Sequence, residues 1–307
     1  MTTPRARSPS ATMLPALLAA ALAAPILAAP SAARADSAAS LLYERTLMDR
    51  AGTRCHLFTP EIAAALAAAG AQARGAALRG GASGDTVRGI EARAELKAYA
   101  VPCTLPDLAT AADRVRKAFD GYASLRQMSY PGTLSSWQAD RKPWPLVLNG
   151  KVRPGPRWRL SQAASGGATV GLTTGAGSDL VEVTTSPDGT EAAGARLILR
   201  DPAKAPDAVI DPRRRDLSGR APPRSVTETF LARSIGPAPV SLLPTSAPSG
   251  AMIVFPPEAA KALATLDPRE TATVELVFPT RTGERVETAL VEVGDFAAGR
   301  AFLAAGR

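Results

Sequence analysis

The hydrophobic period changes once along this 307-residue chain, and the change falls on the stretch from Trp137 to Leu160. Before it, apolar residues recur at helical spacing. After it, they alternate every second residue between turn signals built from Gly, Pro and Asn. Helices first and strands afterwards, without βαβ alternation, predict an α+β chain: a disulfide-tied N-terminal helical bundle, then an antiparallel β-sandwich or rolled sheet with a C-terminal helix. The expected division is a leader over 1–35, a helical domain over 36–132 and a β-rich domain over 133–307.

The first residues read as a leader and not as fold. Arg5 and Arg7 precede the apolar stretch Met13–Ala29, and Ala33-Arg34-Ala35 forms a small-x-small site before Asp36. This is the layout of a secretory signal peptide cut after Ala35, which predicts a periplasmic or secreted protein. The apolar core is proline-interrupted and shorter than the ~20 residues a spanning helix needs, so the mature chain is not expected to span a membrane. Cutting there removes Arg5, Arg7 and Arg34 but no acid, so the net charge of +8 falls to +5 over 272 residues. Such a surplus tolerates an anionic partner without demanding one.

Four helices follow. The first opens at Ser40-Leu41-Leu42-Tyr43 and ends near Gly52. The second starts at Thr59-Pro60-Glu61, where Thr caps, Pro suits the first turn and Glu meets the positive helix end, and stops at Gly80-Gly81. The third spans about Thr86 to Ala100, with Val87, Ile90, Ala94 and Tyr99 as its expected inner face. The fourth runs from Leu105-Pro106-Asp107 to Gly121 or the turn Ser129-Tyr130-Pro131-Gly132, with Leu108, Ala111, Ala112, Val115 and Phe119 inward. Cys55 and Cys103 are the only cysteines. In an exported chain two cysteines outside a CxxC pattern pair with each other, joining the start of the second helix to the end of the third.

Asn149-Gly150 marks a type I′ hairpin between Leu146-Val147-Leu148 and Lys151-Val152-Arg153. Further strands are expected at Trp158–Leu160, 168–173, 179–185, 195–199, 226–233 and 251–255, with a turn at Ser186-Pro187-Asp188-Gly189. A hairpin about Thr282-Gly283 joins 271–278 to 285–293, and Asp295 caps a last helix. The segments 201–224, with Arg213-Arg214-Arg215, and 236–250 are Pro-rich loops, the second a mobile connection.

The order Phe255-Pro256, a helix at Glu258–Leu266, a hairpin, then Gly294-Asp295-Phe296 resembles the C-terminal part of the bacterial invasion-associated locus B family. The resemblance spans the last ~55 residues in pattern only. It implies an exported β-rich protein and no catalytic residue. That family carries cysteines in its β-domain, and this half has none.

Catalytic motifs are missing. His56 is the sole histidine, no G-x-S-x-G surrounds a serine, and Gly175-Ala176-Gly177 lacks the third glycine of a nucleotide loop. Two cysteines and one histidine do not complete a four-ligand structural zinc site without carboxylates. No catalytic residue, metal or cofactor is therefore expected. Carboxylate pairs need no motif, however. Asp140, Glu228 and Asp295 keep a carboxylate-dependent hydrolase acting on envelope material as one alternative, beside a structural envelope factor without a small ligand. The leading expectation is a binding or interaction protein. Its candidate ligand residues are Trp137, Trp144, Trp158, Arg141, Lys142, Arg157 and Arg159, which with Lys151, Arg153 and Asp140 give the stretch a local charge of +5. Stacking and ion pairing suit an anionic envelope glycan or a partner protein; nucleic acid does not suit an exported chain.

Overall fold

The computed structural model describes residues 31–185, 192–211 and 216–305, and side chains from residue 37 onward. Most of the expected leader, the turn expected at Ser186–Gly189 and the Arg213–Arg215 cluster lie outside the described residues. The chain is α+β, as the change of period predicts.

Among the described residues four helices come first: α1 (Ser31–Cys55), α2 (Pro60–Arg79), α3 (Gly84–Ala100) and α4 (Pro106–Ser124). The second begins as its sequence dictates, with the Thr59 hydroxyl accepting the Ile62 N–H at 3.5 Å and Pro60 in the first turn. The first does not stop at Gly52. That residue is buried beneath the Phe58 ring, where any Cβ would collide, so its lack of a side chain serves packing and the helix continues for another turn. It ends in a Schellman turn: Leu57 N–H donates to the Gly52 carbonyl at 3.0 Å and His56 holds φ at 53°. In α3, Val87, Ile90, Ala94 and Ala98 face inward while Tyr99 is 63% exposed, one position off the buried stripe.

The Cys55–Cys103 disulfide is formed, with the two Cα atoms 5.5 Å apart. Cys55 is the last residue of α1 and not a loop residue before α2. The bond thus fastens α1 to the segment joining α3 and α4.

Thirteen strands are formed among the remaining described residues: β1 (Gln127–Pro131), β2 (Ser136–Asp140), β3 (Leu146–Leu148), β4 (Lys151–Arg153), β5 (Trp158–Ala163), β6 (Thr169–Thr173), β7 (Leu180–Thr184), β8 (Gly194–Arg200), β9 (Thr227–Leu231), β10 (Ser234–Pro237), β11 (Ala251–Phe255), β12 (Thr271–Thr280) and β13 (Gly283–Glu292). Helix α5 (Pro257–Leu263) separates β11 from β12, and α6 (Phe296–Ala304) follows β13. A seven-stranded antiparallel sheet runs β1-β2-β5-β6-β7-β11-β10, and a four-stranded one β13-β12-β8-β9. Their inner faces pack together through Leu160, Val170, Leu180, Ile253 and Phe255 on one side and Leu197, Leu199, Val274, Leu276 and Val291 on the other.

The expected boundary at 132/133 shifts. Tyr130-Pro131 lies in β1, paired in register with Trp137-Ser136 of β2, so the sheet begins soon after α4. The segment 236–250 is not a free connection either. Its first residues form an edge strand, Ala238 N–H donates to the Gly250 carbonyl at 2.8 Å, and buried Leu242 packs on Val181, Val183 and Val254 at the outer face of the large sheet.

Helix α6 joins the two halves. Phe296, Ala298, Gly299, Phe302 and Leu303 are buried. Gly299 lies against Leu160 and Tyr130 of the sheet, and Asp295 lies against Gly75 of α2. Asp295 occupies the N-cap position of α6, yet its carboxylate caps nothing there. It accepts two bonds from Arg79 of α2 instead, at 2.5 and 2.7 Å.

Candidate functional site

The seven candidate residues of the Trp137–Leu160 stretch divide into two sets. Most are held by the scaffold. Trp137 is fully buried; its Nε1–H donates to the Val293 carbonyl at 2.8 Å and its ring meets Phe296 at 4.8 Å. It fills the junction core and offers no surface to a ligand. Trp158 is half-buried, donates to the Leu242 carbonyl at 3.1 Å and fastens the Pro-rich segment onto the sheet.

Three arginines collect backbone carbonyls. Arg141 donates through Nη1 to the Tyr122 and Leu125 carbonyls at 3.0 Å, and through Nε to the Phe302 carbonyl at 3.0 Å. It thereby sits at the negative C-terminal ends of α4 and α6 together. Its guanidinium lies 3.7 Å above the Phe302 ring centroid. Arg159 reaches the Leu303 carbonyl at 3.4 Å. Arg157 donates to the carbonyls of Gly155 and Pro156 at 2.7 and 3.0 Å and to that of Arg153, bracing the base of the β3–β4 hairpin.

Lys142 and Trp144 face solvent, and with the hairpin they form a finger. Trp144 is 74% exposed, and one face of its indole lies 4.1 Å from the Arg126 guanidinium. Asp140 holds that arginine at 3.3 Å and also accepts from Gln127 Nε2 at 2.6 Å and from the Lys142 N–H at 2.9 Å. The one acid of the stretch is thus committed to positioning. Strands β3 and β4 belong to neither large sheet, and Asn149 and Gly150 turn at φ of 51° and 72° as a type I′ turn requires. Val147 and Val152 pair across the strands, 55% and 62% exposed, with Lys151 and Arg153 exposed beside them. From residue 141 to residue 178 there is no Asp or Glu.

The buried carboxylates form a separate population. Glu292, fully buried, accepts from the backbone N–H groups of Thr133, Leu134 and Ser135 at 2.5, 2.8 and 2.9 Å, with Arg220 at 3.6 Å. Burial raises the Asp295 carboxyl above its ordinary range even with Arg79 beside it. Glu270 pairs with Arg200 at 2.8 Å, and burial pushes it up to about 7. Glu182, on β7, faces the sandwich interior with no hydrogen bond to either oxygen among the described residues, and burial pushes it up to about 8. Glu228 is on exposed-edge β9 and is raised by partial burial. His56 is exposed and ends α1. No group of three His, Cys, Asp or Glu among the described residues could hold a metal ion.

Clefts open on the helical bundle among the described residues. An apolar one of about 320 Å³ lies between α1, α2 and α4, lined by Ile62, Leu66, Val115, Phe119 and Tyr122. Arg45, donating to the Ala69 carbonyl at 2.6 Å, divides it from a polar groove of about 470 Å³. In that groove Arg74 meets Glu91 at 3.2 Å and Arg50 meets Glu95 at 3.6 Å, so its charges largely cancel. The finger, by contrast, carries one sign.

Fold and surface together define an α+β chain with a disulfide-tied helical bundle, an antiparallel sandwich and a projecting basic-aromatic hairpin. No protein-family model, curated protein or solved structure matches it. No helix of the described residues is long and apolar enough to cross a membrane.

Signals for this division were present in part. Trp144 stands between Pro143 and Pro145, which withhold N–H donors from any ladder and keep the indole out of a sheet. Trp137 alternates with Ala139 as a half-buried strand should. The Arg79–Asp295 and Glu292 contacts join residues more than 150 positions apart and leave no local trace.

Proposed function

We propose that this chain is an exported binding protein without catalytic activity, which meets an anionic component of the cell envelope through the β3–β4 finger and Trp144. One observation carries the proposal: an exposed indole and an exposed Val147–Val152 pair stand beside Lys142, Lys151 and Arg153, in a segment free of acids from 141 to 178. Exposed apolar surface rimmed by charge of one sign is what recognition surfaces present. The disulfide supports an oxidising compartment.

A carboxylate hydrolase is less well supported. Glu292 and Asp295, which approach each other closely enough to interact, are each claimed by backbone N–H groups or an arginine. The test is retention of the purified chain on immobilised envelope fractions. The variant Trp144→Ala/Lys151→Ala/Arg153→Ala should lose retention while keeping its circular dichroism spectrum. Equal retention of variant and parent would remove the finger as the site.

A further inference from the structure

Resting on that reading, we propose that the finger's target is the phosphate-rich surface of an anionic lipid bilayer, onto which it docks without spanning. The chemistry of the finger selects this target over a glycan. A neutral sugar calls for carboxylates or amides aimed at its hydroxyl groups, and residues 141–178 include no acid while Asn149 holds the turn; an anionic glycan would use the cations and the indole but leave the exposed valines without a partner. A pair of aliphatic side chains on one face, Val147 opposite Val152, has no use for hydroxyl groups. It does suit the boundary between headgroups and acyl chains, where tryptophan also settles, with its apolar ring and polar N–H.

Lys151 and Arg153 alternate with Val152 along β4 and leave the ribbon on the face opposite the valine pair, with long side chains that reach phosphates while the valines enter the layer below; Lys142 is a third exposed cation, two residues before Trp144. Among the described residues none of the three forms an ion pair, and Asp140, the acid nearest in sequence, holds Arg126. The Arg126–Trp144 stack fixes the indole before contact, which lowers the ordering cost of docking. A second copy of the chain is a poor occupant, since two such fingers face to face would set cation against cation.

The test is co-sedimentation of the mature chain with vesicles of phosphatidylcholine alone and of phosphatidylcholine mixed with phosphatidylglycerol, beside a soluble sulfated polysaccharide as a polyanion lacking an apolar layer. Binding to the phosphatidylglycerol vesicles is expected, weakening with salt. Each cation removed, as in Lys151→Ala or Arg153→Ala, should weaken binding about fivefold. Trp144→Phe should keep binding but lose the blue shift of fluorescence on vesicle addition, and Val147→Ser/Val152→Ser should weaken vesicle binding alone. No preference for phosphatidylglycerol, or binding untouched by these substitutions, overturns the inference. Binding to the polysaccharide through the same residues but not to vesicles overturns it while leaving the anionic-ligand function standing. Binding to neither, at low salt, overturns both.

Discussion

Replacing Glu182 by methionine should change the pH dependence of stability and not only its level. Glu182 lies on β7 between Val170 of β6 and Ile253 of β11, and its carboxyl is pushed from an ordinary 4.5 up to about 8 by burial. Below the ordinary value both folded and unfolded chains hold the proton, and the contribution to stability is full. Above it the unfolded chain releases the proton while the folded chain keeps it. Stability therefore falls as pH rises and is lost through about 8. The slope is about 1.4 kcal/mol per pH unit, so the whole window amounts to roughly 5 kcal/mol. Glu270, also raised by burial, slopes the same way. Comparing parent with Glu182→Met cancels that contribution. Urea denaturation should find the variant more stable by about 1–3 kcal/mol near pH 5, where a neutral carboxyl without a partner is replaced by a thioether. Near pH 7.5 the advantage should grow by about 3 kcal/mol more. An equal difference at the two pH values would refute the account of Glu182 as an unpartnered buried acid.

Other perturbations have definite expected signs. Arg79→Met strands Asp295 in the junction and should cost about 3–5 kcal/mol in urea denaturation, with Arg79→Met/Asp295→Asn recovering much of the loss. Cys55→Ser/Cys103→Ser opens a link across 48 positions and should cost about 4 kcal/mol, while mass spectrometry of the unreduced parent finds no free thiol. Gly52→Ala collides with Phe58 and should lower stability by about 1–3 kcal/mol. Gly70→Ala, with open space around it in mid-helix, should raise stability by about 0.5–1 kcal/mol, read as a shift in melting temperature.

Helix starts were the most legible part of this chain, because Thr59-Pro60-Glu61 and Leu105-Pro106-Asp107 state their geometry locally. The Asn149-Gly150 hairpin was equally plain, since few residues accept two positive φ angles in succession. Strand β1 was hidden by composition. Ser-Tyr-Pro-Gly reads as a turn, although Met128 and Tyr130 alternate with polar neighbours and Pro131 sits at the edge of the sheet, where a missing N–H is tolerated. The candidate site was legible as a stretch and not as a surface. Which tryptophan is buried depends on α6, more than 130 residues away, and no local pattern announces that Arg141 will gather the ends of two helices. Asp295 had the right position for a cap and found a stronger partner in Arg79.

That last exchange constrains how this molecule can be inherited. A carboxylate from the final helix is neutralised by a guanidinium from the second, so neither half carries a self-sufficient boundary. Grafting the bundle onto an unrelated sandwich, or shuffling the sandwich away, would leave an ion stranded on each side of the cut. A recombinant library should recover folded chimaeras more often when residues 60–79 and 294–305 come from one parent, or when both charges are replaced together.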